Sequence, residues 1–536
     1  MHSQVFHIGV RLDGEGDEAV RRIPFQPGSS LRDILNATSA RVRSGCPGIG
    51  GCGLCRVRVD AGDGGAPTTA EILHLGEEVV AGKSRLACQI VPDGDIDVTV
   101  LTPARPSPWR VPITAPYRAA HPPSPGRARP GCPWGVAVDL GTTCITVAMC
   151  DMASGRCVAT RAGANPQGRL GADVIGRLDA AAAGGPVRQW LRQSVVEAIG
   201  SALLDLSQDE GVPLPGVGQV RVVGNSAMLA LLSGLRPEAL LEPASWAAPI
   251  ECPPADAGEL AEAWDLARGA KIEIVQPLGG FVGSDLLSGV IHCRLIEGAE
   301  PALLIDFGTS SEAALWDGER LWVTAAAGGS ALEATGIGCG MGAEPGAIRR
   351  LSRSRGGAWE GEVIESGPPR GICGSGLVDL LAILRAGGEV DELGRILQEP
   401  LTISVGGAEF TIGKADIDKM QRAKAAIAAG VEVLRRRAGL TLDEIAVLHV
   451  AGSLGEHLDV EHATRIGLVP AVPAGRVRLA GNTSLEGALD LTLSEQAEGA
   501  LALARERAEL INLSMEEEFE ELFFDRLYIR PATARS

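Results

Sequence analysis

The sequence predicts two unlike fold classes in one chain: a small α+β unit over residues 1–100, then a long α/β region built from two related halves, 132–300 and 301–536, with a proline-rich linker, 101–131, between them. Three observations predict this. Cys46, Cys52, Cys55 and Cys88 are spaced C-x5-C-x2-C-x32-C inside the first unit. Nine prolines crowd into residues 101–131, where they remove backbone donors and block both helix and central strand. An apolar strand that ends in Asp-x-Gly-Thr occurs twice, in GVAVDLGTTCITVAM (135–149) and ALLIDFGTSSEAALW (302–316). Strand-like and helix-like runs alternate around both copies to about Gly499, the pattern of a layered α/β fold.

Bulk properties exclude several functions. A chain of 536 residues has room for roughly three to four domains. A net charge of −18 argues against nucleic-acid binding, which needs a basic face. MHSQVFHIGVRLDGEGDE contains no apolar leader, and no uninterrupted apolar run approaches the ~20 residues that span a bilayer. Eight further cysteines are scattered without paired spacing, which points to a reducing, cytoplasmic setting.

In the first unit, VFHIGVRL and AVRRIPF read as strands joined by a DGEGDE turn. Ser29 or Ser30 caps a short helix, LRDILNATSA, with Leu31, Ile34 and Leu35 at helical spacing. The cysteine loop CPGIGGCGLC follows, then the strand CRVRVDA, a helix from Thr69 and a closing strand DIDVTVL. Three thiolates on one Gly-rich arc and a fourth from a distant segment suit a [2Fe–2S] cluster, because glycines let backbone N–H groups turn toward the sulfides. Zinc or buried single thiols are the competing occupants of a CxxC pair. The long arc, the distant fourth cysteine and the surrounding strands favour the cluster. This unit resembles the adrenodoxin-like [2Fe–2S] ferredoxins, which share the x5 gap.

The linker carries five arginines and no acidic residue, the reverse of the whole chain. Composition alone makes it a solvated spacer whose reach lets the cluster visit more than one docking place. The acidic stretch MEEEFEELFFDRLYI near the C-terminus reads as a terminal helix or strand that buries Phe519, Leu522 and Phe523.

The two D-x-G-T copies lie 167 residues apart. Each is an apolar strand, a carboxylate, a tight Gly turn with free N–H groups, and neighbouring hydroxyls, which together suit phosphate oxygens and a hydrated Mg²⁺. A single copy reads equally well as an ordinary hairpin turn. The pair implies two half-domains gripping one nucleotide. LHVAGSLGEHL (448–458) adds a strand ending in a Gly-rich turn against which an adenosine fits. Together these resemble the phosphate-1, phosphate-2 and adenosine motifs of the actin/Hsp70/sugar-kinase (ASKHA, ribonuclease-H-like) superfamily, which binds ATP and Mg²⁺ in an interdomain cleft. The resemblance assigns Asp139, Gly141, Thr142 and Thr143 to phosphates and metal from one half, and Asp306, Gly308, Thr309 and Ser310 from the other. Gly452, Ser453 and Gly455 approach the adenosine.

A ferredoxin-like domain, a Pro-rich linker and a duplicated actin-like ATPase resemble, as a whole, the reductive activators of corrinoid proteins. The similarity includes RLACQ around Cys88, NPQGRLGADVIGRL (165–178), VVGNSAML (222–229), GGFVGSD (279–285), ICGSGLVDLLA (372–382) and QRAKAAIAAG (421–430). It implies ATP-dependent, one-electron return of inactive Co(II) to Co(I) in a corrinoid protein or corrinoid methyltransferase. The four cysteines hold the electron, an upstream donor refills them, and a homodimer is compatible. A plant-type cluster lies near −400 mV, so the transfer runs uphill; 100 mV more costs a factor of about 50 at ~59 mV per tenfold. Asp173 is the candidate water-activating carboxylate beside Asp139 and Asp306, with a helix N-cap as its alternative. One departure from the family pattern is the second hairpin, DFGTSSE where DIGTNGE is typical, so that Ser310 and Ser311 make a less permissive turn. Two other functions compete: an electron activator of a 2-hydroxyacyl-CoA dehydratase, with Cys339 and Cys373 on a [4Fe–4S] cluster, and a redox-sensing nucleotide-binding regulator.

Overall fold

The computed structural model describes residues 6–532 apart from 14–19, 37, 39, 44–47, 51–52, 77–81, 83, 104–107, 113–115, 172, 235–236, 243–245, 247–250, 255, 327, 329, 335, 366, 399 and 453. The expected ligands Cys46 and Cys52, the expected adenosine residue Ser453 and two stretches of the linker therefore lie outside the described residues.

The N-terminal unit contains β1 (Phe6–Leu12), β2 (Arg21–Phe25), α1 (Leu31–Asn36), β3 (Arg56–Ala61), α2 (Thr69–Leu75), β4 (Arg85–Leu86) and β5 (Ile96–Val100). The sheet order is β2-β1-β5-β3-β4, with β1 and β5 parallel. Ile8, Val10, Leu31, Leu35, Val57, Leu86, Val98 and Val100 form its core. Ser30 Oγ accepts from Asp33 N at 3.2 Å, as the sequence predicts for α1. The helix is shorter than LRDILNATSA because Thr38 turns its hydroxyl onto Leu35 O (2.8 Å) and takes Ala40 N (3.0 Å). Such local side-chain bonds compete with the helical ladder. Helix α2 opens with a Thr68–Glu71 capping box. Buried Glu71 also holds Arg85 Nε (2.8 Å) and Leu86 N (2.9 Å), which fixes the strand leading into Cys88.

The first half of the large region runs β6 (Trp134–Leu140), β7 (Cys144–Asp151), β8 (Cys157–Ala164), α3 (Val174–Ala182), α4 (Gly185–Glu210), β9 (Val217–Gly224), α5 (Ser226–Ser233), α6 (Ala257–Ala263), β10 (Lys271–Ile274) and α7 (Ser284–His292). The second half runs β11 (Ala302–Phe307), β12 (Ser311–Trp316), β13 (Leu321–Ala326), β14 (Ala347–Arg353), β15 (Trp359–Val363), β16 (Gly371–Ile372), α8 (Gly374–Gly387), β17 (Leu401–Val405), β18 (Ala408–Ile412), α9 (Lys414–Arg437), β19 (Val447–Gly452), α10 (Val460–Ile466), β20 (Val477–Gly481), α11 (Thr483–Leu493), α12 (Glu495–Arg507), β21 (Ala508–Leu510) and α13 (Phe519–Arg526).

The duplication is visible in the sheets. Their orders are β10-β9-β6-β7-β8 and β20-β19-β11-β12-β13-β21. In each, a hairpin (β6/β7 or β11/β12) is antiparallel, and the next strand inward (β9 or β19) pairs in parallel with the hairpin's first strand. Helices α7 and α11 fill the space between the sheets. Their Leu286, Leu287, Leu489 and Leu491 share one core with Ala137 and Val223 of the first sheet and Leu304 and Ala314 of the second. The two helices cross closely at Gly487, where a Cβ would stand 2.1 Å from Ser288 O. A division of the chain at residue 300 thus follows sequence order, while the helical layer belongs to both halves.

The linker differs from a solvated spacer wherever it is described. Trp109 is 5% exposed and donates its Nε1–H to Ser201 Oγ at 3.0 Å. Arg110 and Ala162 exchange backbone hydrogen bonds of 2.8 Å. Tyr117 Oη and Ala120 N donate to the same oxygen of buried Asp490, at 2.8 and 3.0 Å, and Arg127 donates to Thr492 O and Leu491 O. Proline content did not keep the segment off the body. Arg127 and Arg129 find carbonyls there, and Arg110 and Arg127 find carboxylates.

Candidate functional site

The two hairpin turns face each other across the cleft. Thr143 Oγ1 and Thr309 Oγ1 stand 2.8 Å apart. Both hydroxyls donate to one carboxylate oxygen, Glu333 Oε2, with Thr143 at 3.1 Å. The first turn is braced from behind: Asn165 Nδ2 donates to Gly141 O at 2.9 Å, and Asn225 Nδ2 donates to buried Thr142 Oγ1 at 3.0 Å. Thr142 is thus turned inward, and Thr143 is the hydroxyl presented to the cleft.

Asp139 and Asp306 occupy the equivalent penultimate positions of β6 and β11. Each is approached from the start of α11: Asn482 Nδ2 donates to Asp139 Oδ2 at 3.1 Å, and Ser484 Oγ donates to Asp306 Oδ2 at 3.3 Å. Burial, and then the neighbouring charge of Asp285, push both carboxyls up to about 7. Burial raises Asp285 to about 6, and Glu312, which shares a hydrogen bond with it, goes well above its ordinary range. Glu333 is raised as well, again by burial first. Five carboxyls therefore converge, and the leading causes of their shifts are burial and one another's charge, with no lysine or arginine among the described residues in that group. Such a group of acids is costly to ionise alone and suits a hard divalent cation with its water shell.

The segment expected to take the adenosine is held beside these carboxyls by sheet register, since β19 pairs in parallel with β11 and sets Gly452 opposite Phe307. Gly452 has φ +77°, and a Cβ there would stand 2.2 Å from Asp306 Oδ1. Gly455 packs on Gly481, whose N–H donates to Gly455 O at 3.1 Å.

The expected strain in the second hairpin is not there. Ser310 and Ser311 are absent from the residues with positive φ, and Asp306 stays in register with Glu312. Ser311 is buried and donates to Gly308 O at 3.2 Å, so a hydroxyl closes the turn. Asp173 is exposed and caps α3 by accepting from Gly176 N at 2.8 Å, the alternative role the sequence allowed it. Sequence reasoning quoted Asp285 inside GGFVGSD without a role and missed Glu333, Asn482 and Ser484. Only the N-cap pattern Asn482-Thr483-Ser484 gave a local signal for the last two.

In the N-terminal unit, Cys55 and Cys88 are buried side by side. The Cys88 thiol is pushed down to about 6, chiefly by its hydrogen bond with Cys55 against the opposing cost of burial, then by Gln89, the Gly50 N–H and the charge of Arg32. Adjacent sulfurs inside a shell of donors, one already biased to thiolate, are a donor set that fits an iron–sulfur cluster. No helix among the described residues is long and apolar enough to cross a membrane.

Comparison with known proteins matches three stretches of the chain. Residues 15–93 match a model described as a 2Fe-2S iron-sulfur cluster binding domain, 134–297 one described as the RACo middle region, and 300–535 one described as the C-terminal domain of RACo, the ASKHA domain. The corrinoid activation enzyme RamQ of Eubacterium limosum is 28% identical over 395 residues, covering 68% of this chain and 65% of the relative. The [Co(II) methylated amine-specific corrinoid protein] reductase of Methanosarcina barkeri is 28% identical over 236 residues, covering 40% of this chain and 43% of the relative. The chain thus spans under two thirds of the length of each. A solved reductive activator for corrinoid, iron-sulfur protein superposes with a TM-score of 0.66 at 24% identity, covering 98% of both chains, and establishes the shared fold. The N-terminal domain is of the [2Fe–2S] type and the large region is an ASKHA nucleotide-binding fold.

Proposed function

From the premise that this chain belongs to the family of reductive activators of corrinoid proteins, we propose that it uses ATP in the interdomain cleft to pass one electron from its [2Fe–2S] cluster to a corrinoid protein, returning Co(II) to Co(I). The observation that carries this is the meeting of Thr143 and Thr309. Two halves with the same topology close on one point, in a chain that also holds a cluster domain.

The phosphates would lie between the Gly141–Thr143 and Gly308–Ser310 turns, where they replace Glu333 on the two hydroxyls. Asp139 and Asp306 would hold Mg²⁺ through its water shell, with Asp285 and Glu312 behind them. The bound metal offsets phosphate charge. Asn482 and Ser484 orient the two aspartates, and both belong to the start of α11, which packs on both sheets. Closing the cleft on nucleotide would therefore shift α11 and its neighbours, a two-state element that ATP can bias. Cys46, Cys52, Cys55 and Cys88 would hold the cluster, which a separate one-electron donor refills.

Neither competing function gains support. Cys339 and Cys373 are buried, away from a surface where two chains could share a cluster. The unstrained second hairpin removes the reason to expect nucleotide binding without turnover. The test is anaerobic reduction of a Co(II) corrinoid protein by dithionite-reduced protein, followed by the Co(I) absorption band. Reduction is expected with ATP, much less without it, and none from Cys55→Ser, which should still bind nucleotide. Co(I) formation at the same rate without ATP would overturn the proposal.

A further inference from the structure

Helix α4 ends in three carboxylates, Asp205, Asp209 and Glu210, just before left-handed Gly211. Negative charge at a helix C-terminus opposes the macrodipole, so these acids weaken α4 unless cations cover them. Three arginines do. Arg161 of β8 pairs with Asp205, with Asp209 at 3.0 Å and with Glu210 at 3.5 Å. The other two come from the ferredoxin-like domain. Arg41 pairs with Asp209 and, at 3.3 Å, with Asp205; Arg32 pairs with Glu210.

Arg32 also belongs to the cluster site. It follows Leu31, whose N–H donates to Ile90 O at 2.8 Å, two residues beyond Cys88. Its Nη1 lies 2.6 Å from where a Cβ on Gly48 would stand, inside the cysteine loop. Arg32 and Glu210 are 3% and 1% exposed, and the guanidinium charge interacts with Cys55 and Cys88. One buried guanidinium therefore sits between the cysteine loop and the seat on α4.

We propose that this seat couples the cluster's potential to the position of its domain: seated on α4 the cluster is a stronger reductant, and its reduction loosens the seat. The inference rests on the cluster assignment above. The sign follows from charge. Among the described residues, the surface that α4 and β8 present to Arg32 and Arg41 has three carboxylates against one arginine, so seating brings net negative charge toward the cluster. One electron from a low-potential one-electron carrier adds another negative charge to the cluster, with no bond or proton moved. That charge repels the seat and competes with Glu210 for the Arg32 guanidinium. By linkage, whatever reduction does to seating, seating does to the potential. A tenfold loss of seating on reduction equals a potential about 59 mV lower in the seated state. The oxidised domain stays parked, and the reduced one leaves to deliver its electron.

The test uses full-length protein with its cluster, titrated anaerobically and followed by EPR at low and high salt. Wild type is expected to show the lower potential at low salt, rising as salt screens the seat. Glu210→Gln should shift the potential up by about 59 mV if seating changes tenfold, and should abolish the salt response. Arg41→Gln is the diagnostic variant: removing a positive charge lowers the potential by direct electrostatics, yet raises it if the charge acts through the seat. Hydrogen exchange at residues 205–211 should also speed up when wild type is reduced. Equal potentials in wild type and Glu210→Gln, a downward shift in Arg41→Gln, or unchanged exchange on reduction would each overturn the coupling. A reduced wild type without any [2Fe–2S] signal would instead sink the cluster assignment, and the coupling with it.

Discussion

Thr143 and Thr309, 166 positions apart, bring their Oγ1 atoms to 2.8 Å and share one oxygen of Glu333. Glu333 thereby occupies the hydroxyls that phosphate oxygens would use. It is a half-buried acid that an incoming phosphate would displace or neutralise.

Glu333→Gln is accordingly expected to tighten nucleotide binding. The amide keeps a hydrogen-bonding group in place and removes the charge that opposes phosphate. A gain of about fivefold to tenfold corresponds to roughly 1–1.4 kcal/mol. Titration with a fluorescent ATP analogue measures it, and weaker binding would mark Glu333 as a metal or nucleotide ligand instead.

The raised carboxyls of the cleft make stability pH-dependent. Asp139 and Asp306 titrate near 7 in the fold against 3.8 unfolded. The folded chain therefore holds more protons between these values, and stability is full below about 4 and lost as pH rises through about 7. Metal-free protein should melt progressively lower from pH 5 to pH 8, and Mg²⁺ with ATP should restore the loss. Asp306→Asn should flatten that slope, leave the cluster spectrum unchanged and abolish ATP-driven electron delivery.

A second pH effect concerns the linker. His292 lies between Glu486 Oε2 and Asp490 Oδ2, each at 2.7 Å, and Asp490 in turn holds Tyr117 and Ala120. Its pKa rises to about 9 because the two carboxylates outweigh burial. This contribution is complete below about 6.5 and lost as pH rises through about 9. Proteolysis or hydrogen exchange within 116–131 should accelerate above that pH in wild type. In Asp490→Asn it should be fast already at neutral pH.

Trp109 sets how far the cluster domain travels. Val42 still bridges Pro103, and Trp109 is already anchored on Ser201, so with both contacts kept the intervening residues span at most about 20 Å. Trp109→Ala loses a buried ring and its hydrogen bond, a local cost of about 3–5 kcal/mol. It should extend the domain's reach in small-angle scattering without altering the cluster. Replacing 108–131 with Gly/Ser of equal length should lower the melting temperature, because the segment's contacts depend on residue identity. An unchanged melting temperature would restore the spacer interpretation.

The hairpins were legible because turn chemistry is local. Asp-x-Gly-Thr after an apolar strand specifies its own conformation. Asp173 was ambiguous for the same reason: a carboxylate before an apolar helical run is a cap or a catalyst by sequence alone, and its bond to Gly176 N shows the cap. The linker's composition marked it as free of helix and central strand and gave no information about the surface on which Trp109, Tyr117 and Arg127 settle.

By itself, the sequence determined the parts: a [2Fe–2S]-type domain, two copies of one Asp-x-Gly-Thr hairpin, and a Gly-rich turn after a third strand. Tertiary structure alone decided how they act on one another. Glu333 reaches both threonines, Asn482 and Ser484 of one helix hold the aspartates of two sheets, and Arg32 meets Glu210 across 178 residues. These partners share no sequence neighbourhood. Burial makes them matter, since charges in a dry interior interact strongly enough to shift one another and to couple the domains that carry them.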